Sequence, residues 1–197
     1  MSFPSPKPAQ RSPRNPIWTL VALAALLWGV HIVNIGMFDS RLILEGIYPR
    51  QLSGLDGIFW APFLHGNFRH LLANTFPLMT LGGLIMLGKT EDFWPVTVIS
   101  ALISGVGTWL IGAPNSVHVG ASGVIFGYFG YLLLRGYFDR SAFAVTSSVL
   151  VIIFYGSFLW GVLPNQPGVS WEGHLFGFLG GCLSAWWLSK SRQSARP

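Results

Sequence analysis

The sequence predicts an all-α, polytopic membrane protein built as a bundle of six transmembrane helices, and three observations carry that expectation. Of its 197 residues, 51% are hydrophobic and 10% charged, where soluble domains carry about a quarter of their residues as charges. The apolar residues gather in runs of the length needed to cross roughly 30 Å of hydrocarbon. Cations lie at the ends of those runs, on alternating rich and poor sides. With a cytoplasmic N-terminus, the inner side holds Lys7, Arg11, Arg14, Lys89, Arg135, Arg140, Lys190, Arg192 and Arg196, and the outer side Arg41, Arg50 and Arg69. This positive-inside asymmetry predicts that both termini are cytoplasmic.

Taken in order, residues 1–16 read as a proline-rich basic tail, too poor in apolar side chains to fold alone. Residues 17–37 carry no formal charge. They outrun the apolar core of a signal peptide and end without a small-residue cleavage site, so a retained first helix is expected. Residues 39–62 are long for a compact connection and, with Ile43, Leu44, Ile47, Phe59 and Trp60, too apolar for a free linker. A segment lying partly in the membrane interface is expected there. The remaining helices are expected at about 67–87, 93–111, 121–137, 142–163 and 173–188, completing a membrane domain over 17–188 and leaving a basic tail at 189–197. Trp18, Trp28, Trp60, Trp109, Trp160 and Trp171 fall near helix ends, where an aromatic belt would place them. The dispersed cations exclude a nucleic-acid partner, and the single cysteine, Cys182, excludes an internal disulfide.

Candidate chemistry gathers at the outer starts of these helices. Ser122, within Gly120-Ala121-Ser122-Gly123, stands where an irregular stretch becomes an apolar helix, and its small neighbours leave the hydroxyl open. From Ser122 to Gly136 a helix rises only about 21 Å, so Ser122 is expected several ångströms below the outer surface. Residues 112–120 must then dip into the membrane, which is tolerable only beside protein or a water-filled cavity. Gly123 with Gly127, and Gly173 with Gly177 and Gly181, would let two helices approach closely and bring Ser122 to His174. His174 could then act as general base for a serine nucleophile. His70 and Asn74 share a helix face and could donate hydrogen bonds to an oxyanion, beside the Ser122 N–H. Glu172 points to another face and Asp139 is assigned to a cytoplasmic loop, so a dyad without a carboxylate is expected.

Each residue alone has a structural explanation, as a helix-bound serine or as interhelical hydrogen-bonding groups. His31 is assigned to the outer interface and His118 to a loop, with no role. A metal is not expected: no His-Glu-x-x-His occurs, and His65, His70 and His174 have no carboxylate or thiolate near them. No pair of membrane aspartates occurs either.

Three motifs together are more specific. H-x4-H-x3-N runs from His65 through His70 to Asn74, G-x-S-G from Gly120 to Gly123, and H-x2-G-x3-G from His174 to Gly181. In this order, over roughly residues 17–188, they resemble the rhomboid family of intramembrane serine proteases. The resemblance implies a six-helix bundle with a water-accessible intramembrane active site and a Ser122–His174 dyad. It also implies oxyanion stabilisation by His70 and Asn74, and support from His65, Gly120, Gly123 and Phe126. Phe126 stands where many rhomboids carry tyrosine, keeping a ring able to stack on His174 but losing the hydroxyl. The Trp-Arg pair common in the first outer loop is absent from residues 39–62. No cofactor is implied. The expected partners are the lipid bilayer and membrane-protein substrates with a transmembrane segment, and the expected location is a bacterial plasma membrane. The rival is a non-catalytic rhomboid-like protein that binds membrane clients, for which Ser122, His174, His70 and Asn74 would all be unnecessary.

Overall fold

The computed structural model describes residues 16–164 and 168–194, so most of the basic N-terminal tail and Arg196 lie outside the described residues. The described residues are mainly helical: α1 Pro16–Phe38, the single turn α2 Gly57–Trp60, α3 Phe68–Lys89, α4 Phe93–Ile111, α5 Ser122–Asp139, α6 Ala142–Tyr155 and α7 Trp171–Ser194. Among the described residues there is no strand, only an isolated antiparallel bridge between Ile47 and His118. Local chemistry sets several ends. The side chains of Asn67 and Ser141 accept hydrogen bonds from the His70 and Ala144 amides and so cap α3 and α6. Arg140, in the left-handed conformation, ends α5.

The centre of the bundle is α5, in which every residue from Gly123 to Leu132 is buried. A helix apolar on all faces needs neighbours all round, and α3, α4, α6 and α7 supply them. The tightest approach is to α7. A Cβ added at Gly177 would fall on the Gly123 backbone, and one at Gly181 on the Gly127 carbonyl, so these two helices meet backbone to backbone.

By length and hydropathy, three stretches qualify as membrane-crossing: Ile17–Phe38, Phe68–Ile111, which contains both α3 and α4, and Ala142–Val162. The two long helices outside this set, α5 and α7, form the tightly packed pair, and there the glycines that close packing requires replace large apolar side chains. Outward faces carry Ile32, Phe76, Ile153 and Phe154, each more than half exposed. Such a surface suits lipid and not water.

Several expectations are corrected. The α-helix expected over 142–163 stops at Tyr155 and tightens into a 3-10 segment, Gly156–Val162, that begins at the glycine. The last helix continues past the expected end at 188 to Ser194. Its extension is held by Arg192, which donates to both carboxylate oxygens of Asp92 at 2.8 and 2.9 Å. Asp139, expected in a loop, is the last residue of α5 and accepts from Lys89 Nζ at 2.8 Å and Arg135 Nε at 3.1 Å. His31, in α1, is buried against its neighbours at 5% exposure, which leaves its expected place near the outer interface as it was. The segment 39–62 forms short turns, Arg41–Glu45, Leu52–Gly54 and Ala61–Phe63, around α2, with Leu52, Phe59 and Trp60 facing outward. Arg50 secures it by donating to the carbonyls of Leu110 and Gly112 at 3.1 and 2.9 Å. Trp109 adds an indole hydrogen bond to the Gln51 carbonyl at 2.8 Å.

Candidate active site

Ser122 is the first residue of α5 and is half-buried. The turn into it depends on Gly120, whose φ of +124° is one that side-chain-bearing residues rarely adopt. Its amide is fixed by the Ala61 carbonyl at 2.8 Å. A Cβ at Gly120 would lie 2.7 Å from the His70 ring and 3.6 Å from Asn74 Nδ2, so both side chains sit directly over this turn. Asn74 is buried, and its Nδ2 donates to the His70 carbonyl at 3.1 Å. An amide nitrogen carries two hydrogens, so one remains free. His65 is buried at 1% exposure and packs edge-on against His70, with ring centroids 5.2 Å apart.

His174 lies in the first turn of α7. Its ring stacks on Phe126, with centroids 4.0 Å apart and planes at 8°, and Phe126 stacks in turn on Phe158 at 4.9 Å. Phe126 is one helical turn after Ser122, so the imidazole is held on the face of α5 that Ser122 begins. Its Nδ1 lies 2.9 Å from the Gly161 carbonyl. A carbonyl oxygen only accepts, so Nδ1 carries the hydrogen. In the neutral ring Nε2 then keeps its lone pair. No hydrogen bond joins the Ser122 hydroxyl to His174 among the described residues.

These residues were drawn from three motifs, and comparison with known proteins covers the same ground. A family model described as the Rhomboid domain matches residues 53–191, more than half of the chain. The chain belongs to the rhomboid family. This rhomboid is 38% identical over 202 residues to an uncharacterized protein of Mycobacterium tuberculosis, across 96% of the chain and 84% of that protein. It is 36% identical over 203 residues to an uncharacterized protein of Mycobacterium leprae, across 96% and 80%. To RHOMBOID-like protein 5 of Arabidopsis thaliana it is 31% identical over 158 residues, across 75% of the chain and 46% of that protein.

Within this rhomboid the structure gathers His70 and Asn74 at Gly120, and His174 at Phe126, while Gly123 sits at the α5–α7 contact. Glu172 is also in α7 and buried at 4% exposure, and no hydrogen bond joins it to His174. Sequence reasoning missed two supports. Ser104 of α4 donates to the Gly173 carbonyl at 2.8 Å and packs on Gly123, locking three helices just beside His174. Ser100 fills the same place against Gly127 one turn further on. The four-residue spacing of these serines was a readable signal of close packing. The Gly161 carbonyl was missed as well, and no residue type could have announced it.

Proposed function

We propose that this rhomboid is an intramembrane serine endopeptidase that hydrolyses peptide bonds in or beside the transmembrane segments of other membrane proteins. The observation that carries the reading is the orientation of His174, with Nδ1 donating to the Gly161 carbonyl and the ring stacked on Phe126. This leaves Nε2 as the proton acceptor. As Ser122 Oγ bonds to the substrate carbonyl carbon, Nε2 takes the hydroxyl proton and the carbonyl electron pair moves onto oxygen. The resulting oxyanion is met by the free hydrogen of Asn74 Nδ2, by a His70 ring N–H and by the Ser122 amide. One such donor is worth on the order of 3 kcal/mol in the transition state. Collapse expels the amine, which leaves with the proton from His174. Water then attacks the acyl-serine, His174 takes its proton, and Ser122 is regenerated.

Six crossings, with both termini cytoplasmic in a bacterial plasma membrane, would put this chemistry at the outer side. Lateral entry of substrate is supported by an apolar groove of about 600 Å³ between α3 and α6, lined by Phe76, Met79, Leu150 and Phe154. The entering segment must be locally unwound, because a regular helix keeps its carbonyls hydrogen-bonded.

The decisive experiment is cleavage of a transmembrane reporter by purified protein in liposomes. Ser122→Ala and His174→Ala are each expected to abolish cleavage while leaving the thermal melt unchanged. Retained proteolysis in either variant overturns the dyad. One observation favours the client-binding alternative, namely the missing Ser122–His174 hydrogen bond, although catalytic contacts in unliganded sites commonly tighten only with substrate. Labelling of Ser122 by a fluorophosphonate separates the two readings, since a pure binder has no reason to activate that hydroxyl.

A further inference from the structure

The loop that leads to Ser122 and the helix that carries His174 meet at a second place. His118, four residues before Ser122, has its Nε2 2.7 Å from Ser116 Oγ and its Nδ1 2.8 Å from Ser170 Oγ. Ser116 decides where the protons lie. Its hydroxyl donates to the Ala113 carbonyl at 2.6 Å, so toward His118 it can only accept, and Nε2 carries the hydrogen. A neutral imidazole has one N–H, so Nδ1 accepts from the Ser170 hydroxyl. The result is a directed chain from Ser170 through His118 and Ser116 to Ala113, in which each bond polarises the next. Burial pushes the His118 pKa down, opposed in part by the charge of Glu172, which keeps the ring neutral near neutral pH.

Both ends of this chain are rigidly tied to the candidate dyad. The His118 backbone exchanges two hydrogen bonds with Ile47, each 3.0 Å, and Gly120 is fixed to Ala61, so little slack remains between His118 and Ser122. Ser170 stands at the head of α7, and its carbonyl accepts from the His174 amide at 3.2 Å. Ser170 and His174 therefore move as one turn.

We infer that His118 is a positioning residue: by accepting from Ser170 it ties the serine loop to the head of α7 and sets the separation between the Ser122 hydroxyl and the His174 ring. The inference rests on the proteolytic reading above. Neither His118 nor Ser170 belongs to the three motifs, and they are 52 positions apart in the chain.

The test uses the full-length protein in liposomes with a transmembrane reporter, comparing Ser170→Ala, Ser170→Thr, His118→Ala and the double alanine variant. Thermal melts identify any variant that fails to fold. Ser170→Ala removes a single hydroxyl and carries the test if His118→Ala does not fold. Misplacement of reacting groups by about 1 Å can cost on the order of a hundredfold in rate. Each alanine variant is accordingly expected to lower kcat between about tenfold and a hundredfold, with KM within about twofold. Fluorophosphonate labelling of Ser122 should slow in parallel. Ser170→Thr, which keeps the hydroxyl, should restore most of the rate. The double variant should be no slower than the slower single one, because both remove the same link. An active wild type with a Ser170→Ala kcat within about twofold, a change in KM alone, or no rescue by threonine overturns the inference and leaves the dyad standing. A wild type inert to both reporter and label overturns the proteolytic reading, and this inference with it.

Discussion

At the scale of single residues, the histidine just ahead of α3, His65, has been taken out of water without being given a counter-charge. His65 is 1% exposed, and the charges acting on it are those of His70 and His31. Burial first, and the His70 charge second, push its pKa from 6.5 down to about 4, and the Phe63 backbone offsets only a part. An unfolded chain protonates this ring near its ordinary value of about 6.5, so on acidification the unfolded state takes up a proton that the fold refuses. The folded value is depressed, hence stability is complete above about pH 6.5 and falls between there and pH 4, by on the order of 3 kcal/mol. Thermal melts in detergent should be flat from pH 8 to 6.5 and decline below. His65→Leu should flatten that decline, and an unchanged slope would place the acid sensitivity elsewhere.

At the scale of elements, the α5–α7 pair shows what a sequence can and cannot announce. The glycines at Gly123, Gly127, Gly177 and Gly181 were legible as a close contact, because only small residues at that spacing let two helix backbones touch. The consequence is testable. A Cβ at Gly177 meets the Gly123 backbone, which has no flexible end to move aside. Gly177→Ala should therefore destabilise by about 1–3 kcal/mol through overpacking, despite the better helix propensity of alanine. It should also slow cleavage, since His174 is one turn away on the same helix. A melt equal to wild type would mean that α5 and α7 separate easily. The ends of elements were less legible. The 3-10 segment that follows α6 from Gly156 packs its Phe158 against Phe126 and Phe129 of α5, contacts that join distant parts of the chain. Likewise, His174 owes its tautomer to a backbone carbonyl in that segment, and His118 meets Ser170 only after folding.

At the scale of the whole molecule, the bundle is closed at the end opposite the candidate site by cations that the sequence had suggested only as orientation signals, paired with carboxylates that it had not assigned to them. Asp92 is 1% exposed, receives both hydrogen bonds of Arg192, and also accepts from the Tyr131 hydroxyl. The turn between α3 and α4 is thereby joined to α5 and α7. Bidentate pairing with a guanidinium is the geometry in which a buried carboxylate is best compensated. The pair is not expected to outperform an apolar replacement, but losing one partner is costly. Asp92→Ala leaves the buried Tyr131 hydroxyl without its acceptor and Arg192 without its main counter-charge. Arg192 keeps a side-chain exposure of 31% and can turn to water, which puts the expected cost at the lower end of the range for buried pairs, about 3 kcal/mol. For a chain of this size that corresponds to a drop of roughly 6–12 °C in Tm. The geometry of the candidate site is a different matter, because His174 lies about 27 Å along α7 from Arg192 at 1.5 Å per residue. Cleavage of the reporter at 20 °C should stay within about twofold of wild type while Tm falls. If rate and Tm fell together, the clasp would also set the position of α7 at the site, and the two ends of this bundle would be mechanically coupled.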